Sequence, residues 1–193
     1  MRFRPVFTTL VVAAATLPAV VFAADNTELM SAARAAASSL PPKLLAALGD
    51  EIAKAGPEGA IPVCRDMAPK MAKEVAASTG WQLKRVTLKP RNPQRATPDA
   101  WERAALEEFD RRVAAGENPA TLEKGEVVER DGQRIYRYAK ALPTQALCLN
   151  CHGPLEKMTP EVKARLGEHY PEDRATGYSE GQVRGAIVAS KPL

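Results

Sequence analysis

The stretch EVVERDGQRIYRYA, residues 126–139, decides the fold because it predicts two strands joined by a tight turn. Valine, isoleucine and tyrosine, which favour extended structure, lie on both sides of Asp131-Gly132. An Asp-Gly pair is the strongest short-range signal for a two-residue hairpin turn. The sequence therefore predicts an antiparallel pair of strands over residues 126–130 and 133–139.

Two more strands are predicted, one before and one after this hairpin. Residues 81–89 place Leu83, Val86 and Leu88 among charged residues, which suits a strand at the edge of a sheet. Residues 182–190 are predicted to form the strand that closes the chain. Together these strands would make a small antiparallel sheet.

Three helical segments are predicted ahead of the first strand. They cover residues 25–40, ended by Pro41-Pro42; residues 43–55, ended or bent at Gly56-Pro57; and residues 60–78, kinked or broken at Pro69.

Two more helices are predicted between the strands. Residues 91–97 should form an irregular loop, and Thr97 should then cap a helix that has Pro98 at its first position and ends at Gly116. A short helix should cover residues 160–166. Helices first, followed by strands with long connections, predict an α+β fold.

The segment after the hairpin reads Cys148-Leu149-Asn150-Cys151-His152. It fits the Cys-x-x-Cys-His pattern of c-type haem attachment, in which the two thiols form thioether bonds to one porphyrin and the histidine binds the iron. A redox dithiol, a disulfide or half of a zinc site would not need the histidine. Zinc would also need four ligands, and the sequence has no second Cys/His pair at a suitable spacing. One covalent haem c is therefore the predicted cofactor.

The N-terminus resembles a secretory signal. Arg2 and Arg4 precede a mostly apolar run, and Val21-Phe22-Ala23 fits the residues that a signal peptidase prefers. A membrane anchor is disfavoured because the apolar run is short and interrupted by threonines and a proline. We therefore expect a signal peptide over residues 1–23, a single domain over residues 24–193, and export to the periplasm, where bacteria attach haem covalently.

Composition disfavours several classes of partner. The formal net charge of the 193 residues is +4, with Arg2 and Arg4 among the positive residues, and no basic stripe with interleaved aromatic residues suggests nucleic-acid binding. No later segment approaches eighteen apolar residues, so we expect no membrane association after cleavage. The sequence shows no distal histidine or catalytic acid at a telling spacing, so we do not expect an enzyme.

Cys64 is the odd cysteine, because Cys148 and Cys151 would both be occupied by thioethers. A lone thiol in an oxidising compartment is buried and inert, paired between chains, or bound to a metal. Binding to the haem iron would make it a thiolate ligand. Met67, Met71, Met158 and His169 are rival ligands, and three of the four fit other roles. Met67 and Met71 lie on an apolar face typical of core residues, and His169 precedes Tyr170-Pro171 in what looks like an exposed loop.

Several segments occur together in one order along nearly all of the mature chain. They are Ala60-Ile61-Pro62-Val63-Cys64, Ala68-Pro69, Gly80-Trp81, Arg91-Asn92-Pro93, Trp101-Glu102 with Leu106 and Phe109, Cys148-Leu149-Asn150-Cys151-His152-Gly153, and Val183-Arg184-Gly185-Ala186-Ile187. In this order the chain resembles a family of exported c-type haem proteins with a PAS-like fold. That family includes a soluble cyanobacterial member and the periplasmic domains of sensor kinases.

The resemblance implies a PAS-like domain in which the haem lies between a small antiparallel sheet and the N-terminal helices. It implies that Cys64 is the second axial ligand, so that His152 and Cys64 bind the iron from opposite faces. Arg91 is a candidate partner of the haem propionates, as is Arg95, which stands where the family has an asparagine.

Two functions are compatible with this ligand pair. In a sensor of redox state or of a diatomic gas, Cys64 would be lost on reduction of the iron. In a low-potential electron carrier that exchanges electrons with a redox partner protein, both ligands would stay bound.

Overall fold

The computed structural model describes residues 19–193 of the chain, with side chains described from Asn26 onward. The predicted signal peptide, residues 1–23, lies mostly outside the described residues and stays a prediction. Within the described part, no helix is both long and apolar enough to cross a membrane.

A four-stranded antiparallel sheet forms the centre of the fold. Its strands are β1 (Gln82–Val86), β2 (Glu123–Arg130), β3 (Gln133–Pro143) and β4 (Val183–Pro192), arranged in the order β1-β4-β3-β2. The predicted α+β class, with a small antiparallel sheet, is confirmed. The prediction of an edge strand is also confirmed, because β1 lies at one edge.

The β2–β3 turn has the predicted conformation. Asp131 has φ 54° and Gly132 has φ 73°, so both central residues adopt the left-handed region that a tight hairpin turn requires. Arg130 and Gln133 pair directly on either side of the turn. Both strands continue beyond their predicted ends, because pairing with each other and with β4 extends the ladder.

The long helix α1 (Ala19–Gly59) contains Pro41 and Pro42, so the prediction that these prolines end a helix is wrong. Proline fixes φ near helical values, but inside a helix it also removes one i→i−4 hydrogen bond and its ring clashes with the carbonyl of residue i−4. Just before the prolines, Ala37 and Leu40 are buried in a cluster with sheet residues, and this packing favours continuation of the helix. The predicted bend is found at Gly56, whose φ of 72° and ψ of 172° are not helical.

A π-helical turn (Val63–Met67) separates α1 from α2 (Ala68–Thr79). The predicted break near Pro69 is therefore confirmed, and Pro69 lies in the first turn of α2. A π turn inserts one extra residue and rotates the side chains that precede it. This explains why Met67 is 39% exposed, contrary to its predicted place on an apolar face, whereas Met71 packs against the core.

The segment after β1 differs from the prediction in two details. A short helix, α3 (Pro93–Ala96), lies within the predicted loop, and α4 (Ala100–Ala114) is capped by Asp99 rather than Thr97. The Asp99 carboxylate accepts a hydrogen bond from the backbone N–H of Glu102, and the Glu102 carboxylate accepts one from that of Asp99. This reciprocal capping satisfies two donors, and Thr97 alone could satisfy only one.

The sheet separates two buried clusters. Helices α1 and α2 cover one face, where Tyr136, Tyr138 and Ile187 are buried. Helix α4 covers the other face, where Leu106, Phe109 and others surround Val188. The connection between β3 and β4 contains α5 (Leu149–His152) and α6 (Pro160–His169), the latter longer than predicted.

Candidate cofactor site

The predicted attachment motif lies directly after the end of β3. A 3₁₀ turn (Ala146–Cys148) leads into α5, which ends at His152. Cys148 is buried, Cys151 is half-buried, and both are free thiols in the described chain. Because the backbone is helical here, residues three apart lie on the same side. The two thiols therefore face one region, with His152 adjacent to them.

His152 is held in one orientation and one protonation state. Its Nδ1 atom lies 2.7 Å from the carbonyl oxygen of Ala175. A carbonyl only accepts, so Nδ1 carries the proton and Nε2 carries the lone pair. Burial holds the pKa of His152 well below its usual range, and the charges of Arg184 and Arg91 lower it further. A neutral imidazole with its second nitrogen hydrogen-bonded is the form that binds metals.

Arg91 fastens the motif to neighbouring segments. Its Nε donates to Asp173 Oδ2 over 2.9 Å, and its Nη2 donates to the carbonyl oxygen of Cys151. Nη2 also lies 3.5 Å from the carbonyl oxygen of Ala175. The sequence predicts Arg91 as a cofactor-binding residue. The structure places it beside the attachment motif, with its charge balanced by Asp173.

Two arginines that sequence reasoning did not select lie beside His152. Nη1 of Arg184 donates to Nε2 of His152 over 3.2 Å. The Nε atoms of Arg85 and Arg184 are buried and have no hydrogen-bond partner among the described residues. Burial, and then the charge of Arg184, lower the pKa of Arg85 to about 9. The available signal was an arginine within each of two predicted strands, but strand prediction alone could not place both at the motif.

A β-bulge at Gly185 turns Arg184 toward His152. Ala141 pairs with Ala186 and Pro143 pairs with Val183, so β4 has one more residue than β3 in this interval. The extra residue reverses the alternation of side chains, so Val183 packs in the α4 cluster and Arg184 reaches the other face. Gly185 has φ 148°, and a Cβ there would lie 2.4 Å from the carbonyl oxygen of Val86. Only glycine fits this position without displacing β1.

Cys64 is exposed and lies in the π-helical turn, so it is not the buried, inert residue that was one alternative. The Cys64 thiol interacts electrostatically with groups around the motif. It raises the pKa of Cys151, although burial is the largest cause of that shift and Arg91 opposes it. It also acts on Arg85. The Cys64 thiol therefore lies within electrostatic range of Cys151 and Arg85.

The rival ligands are engaged elsewhere or exposed. Met158 is buried in a cluster with Ile61, Val162 and Leu166, against which Cys151 packs. His169 is the last residue of α6, not a loop residue as predicted, and its Nδ1 lies 3.1 Å from Nη1 of Arg65.

Arg95, the second candidate propionate partner, is exposed. Its Nη1 donates to the backbone carbonyl of Arg65, in the π-helical turn, over 3.3 Å. This contact leaves Arg95 tied to the turn that carries Cys64.

The residues present fit a covalently bound haem. Two thiols on one side, a neutral histidine and a nearby third thiol match the attachment and ligation that such a group needs. The buried Nε atoms of Arg85 and Arg184 provide a second observation, because buried donors are normally satisfied. A haem carries carboxylates that could satisfy them. The site therefore has donors for each part of the group.

Comparison with known proteins agrees with this assignment of the site. The model of the Tll0287-like family matches residues 14–192. The chain belongs to the Tll0287-like family. The crystal structure of the cyanobacterial heme-protein Tll0287 is similar, with a TM-score of 0.54 and 32% sequence identity, over 68% of this chain and 72% of that chain. A comparison with curated proteins finds no match. The predicted relation to a haem-protein family is confirmed, and the PAS-like fold and the ligand pair stay predictions.

Proposed function

We propose that this protein binds one haem covalently through Cys148 and Cys151, with His152 and Cys64 as the axial ligands of the iron. The observation that carries the proposal is the neutral, buried His152, oriented by Ala175 and adjacent to two free thiols. Membership in the Tll0287-like family and likeness to a heme-protein support it. When bound, the haem supplies one-electron redox chemistry and a metal site for small ligands.

The chain's own groups have distinct parts in this proposal. Burial keeps His152 neutral, and the Ala175 carbonyl holds its ring. Arg91 holds the Cys151 carbonyl, which fixes the peptide between Cys151 and His152. Each thioether would form by addition of one thiol S–H across a vinyl C=C bond of the haem, with the sulfur bonded to one carbon and the hydrogen to the other.

We infer that the protein senses redox state or a diatomic gas through Cys64. The thiol lies in an exposed π-helical turn, and π-helical turns are frequent at functional sites. An anionic sulfur ligand favours oxidised iron, so Cys64 would bind less strongly after reduction and could leave as a thiol. Its release would free the turn and open a coordination position. A signal requires an element of this two-state kind.

A low-potential electron carrier is the second candidate function. The exposure of Cys64 favours it, because a site that opens to solvent can approach a redox partner protein closely. In this case Cys64 would stay bound in both oxidation states. The two functions therefore differ in one measurable property, the fate of Cys64 on reduction.

We further propose that residues 1–23 direct export to the periplasm, and that the protein acts without catalysing a reaction. The charged and apolar pattern of those residues supports export. The proposed partners are a redox protein or a small diatomic gas, with no nucleic acid and no membrane.

Spectroscopy of the haem-loaded protein tests the ligand pair. We expect a thiolate-type low-spin ferric EPR signal in the wild type and its loss in Cys64→Ala. Met67→Ala, which alters another exposed residue of the same turn, is the matched control and should keep the signal. If Cys64→Ala leaves the spectrum unchanged, Cys64 is not a ligand, and Met158 or His169 becomes the candidate.

Two further measurements complete the test. Denaturing electrophoresis should show haem retained by the wild type and lost from a variant that combines Cys148→Ser with Cys151→Ser. Carbon monoxide added to the reduced protein should bind if Cys64 leaves and should not bind if the protein is an electron carrier. A wild-type chain that holds no haem would overturn the proposed function itself.

A further inference from the structure

Arg85 and Arg184 form a pair of positive charges without a negative partner. Both side chains are half-buried, with buried Nε atoms that lack hydrogen bonds. Among the described residues, neither guanidinium forms an ion pair with a carboxylate, whereas Arg91 is paired with Asp173. Burial lowers the pKa of Arg85, and the charge of Arg184 lowers it further. Such an arrangement calls for an anion in the site.

Arg184 also donates a hydrogen bond to Nε2 of His152, the atom that would bind iron. Its Nη1 lies 3.2 Å from Nε2, so iron and this guanidinium cannot use the same lone pair. The bulge at Gly185 directs Arg184 to this place, so the contact is a consequence of backbone geometry and not of a chance rotamer. When iron binds Nε2, Arg184 must turn to another acceptor.

We propose that Arg85 and Arg184 bind the two carboxylate side chains of the haem, and that Arg184 leaves His152 to do so. This inference rests on the proposed function. It assigns the carboxylate contacts to two strand residues instead of Arg91, which precedes α3, and Arg95, which lies in α3.

Charge and hydrogen bonding favour carboxylates as the anions. Two guanidinium groups match two carboxylates, and a guanidinium binds a carboxylate with two parallel hydrogen bonds. Arg91 is already satisfied by Asp173 and two carbonyls, and Arg95 is exposed on α3 and hydrogen-bonded to the π-helical turn. The Cys64 thiolate is the rival anion for Arg85, and the experiment separates the two.

The test measures noncovalent binding to the haem-free chain. The full chain is produced without haem attachment, and its cysteine thiols are kept reduced. It is then titrated with ferric mesohaem, whose ethyl groups cannot form thioethers. Parallel titrations use mesohaem dimethyl ester, in which both carboxylates are blocked. The variants are Arg85→Met, Arg184→Met and Arg184→Lys, and the control is Arg174→Met, an exposed arginine next to Ala175.

We expect Arg85→Met and Arg184→Met each to weaken mesohaem binding about 10- to 100-fold, as for loss of a charge-assisted pair. Arg184→Lys should weaken it less, and Arg174→Met should not weaken it. The affinity of the ester for the methionine variants should be no lower than its affinity for the wild type. It should also bind Arg184→Met faster than the wild type, because the His152 nitrogen is no longer occupied.

Other outcomes overturn the inference. Equal weakening for mesohaem and its ester would show that the arginines act on folding or on the Cys64 thiolate. Methionine variants that bind mesohaem like the wild type would show that the carboxylates bind elsewhere. Thermal unfolding of the haem-free variants, expected at or above the wild-type temperature, checks that they fold. A wild type that binds neither compound would contradict the proposed function, which distinguishes that failure from failure of the inference.

Discussion

His152 donates a hydrogen bond from Nδ1 to the carbonyl oxygen of Ala175 over 2.7 Å. The backbone N–H of Tyr178 donates to the carbonyl oxygen of His152 over 2.9 Å. The segment between α6 and β4 therefore positions His152 through both its ring and its backbone. Side chains that hold this segment in place should stabilise the position of His152 without touching a ligand. Arg91 is such a side chain.

Arg91→Met should destabilise the haem-free chain. Both Arg91 and Asp173 are largely buried, so removing the guanidinium leaves the Asp173 carboxylate without its partner. We expect the free energy of unfolding in urea to fall by about 3 kcal/mol. Arg174→Met, in the same region but exposed, should change it by less than about 0.5 kcal/mol. A small effect of Arg91→Met would mean that the salt bridge does not hold the segment.

Gly185→Ala should disturb β4 at the bulge. A methyl group there would meet the Val86 carbonyl oxygen at 2.4 Å, and φ 148° is unfavourable for alanine. We expect a loss of about 2 kcal/mol or more in the free energy of unfolding and weaker mesohaem binding. Gly167→Ala is the matched control, because a Cβ added at Gly167, in α6, would have no other atom within 4 Å. That control should stabilise the chain by about 0.5 kcal/mol.

Glu102→Gln should weaken the attachment of α4 to the sheet. The Glu102 carboxylate is fully buried and accepts from Nη2 of Arg137 and from Nζ of Lys84, each at 2.8 Å. We expect a loss of about 2 kcal/mol measured by urea unfolding, since Arg137 is also mostly buried. Glu108→Gln, which alters a half-buried and therefore better solvated pair with Lys124, should cost less than about 1 kcal/mol. Equal effects of the two variants would contradict the importance assigned to burial.

The contribution of Glu123 should depend on pH. The Arg34 guanidinium lowers the pKa of Glu123 below its usual value of 4.5, despite partial burial, and the Tyr138 hydroxyl lowers it further. A lowered pKa in the folded state stabilises the fold above about pH 4.5, and this stability is lost as the pH falls through the folded-state pKa.

Glu123→Gln therefore should cost about 1 kcal/mol at pH 7, after allowance for solvent screening of the exposed Arg34, and less at pH 3. Urea unfolding of both proteins at several pH values provides the measurement. A difference that stays constant between pH 7 and pH 3 would show that the ion pair contributes nothing.

The local parts of the fold could be predicted from the sequence. The Asp131-Gly132 turn and the bend at Gly56 depend on residues that are neighbours in the chain, so the local sequence is enough to predict them. The continuation of α1 through Pro41 and Pro42 depends on burial against the sheet, which no local pattern shows. The choice of Asp99 over Thr97 as the cap of α4 depended on a reciprocal partner, Glu102, that could have been recognised.

The candidate site divides in the same way. Cys148, Cys151 and His152 form a contiguous motif, and the structure places them in one short helical stretch. Arg184 reaches His152 only because of a bulge in strand pairing, and a register shift cannot be derived from one sequence. Whether Cys64 binds the iron depends on the loaded protein and stays a prediction.

The half-buried Arg85 and Arg184 bear on whether the chain becomes fully stable before or after it binds its cofactor. If their anions arrive with the cofactor, the polypeptide reaches its full stability only after loading, and attachment becomes the last step of folding. A chain that misses this step would open more often and be cleaved more readily by proteases. Molecules without cofactor would then be degraded faster than loaded ones.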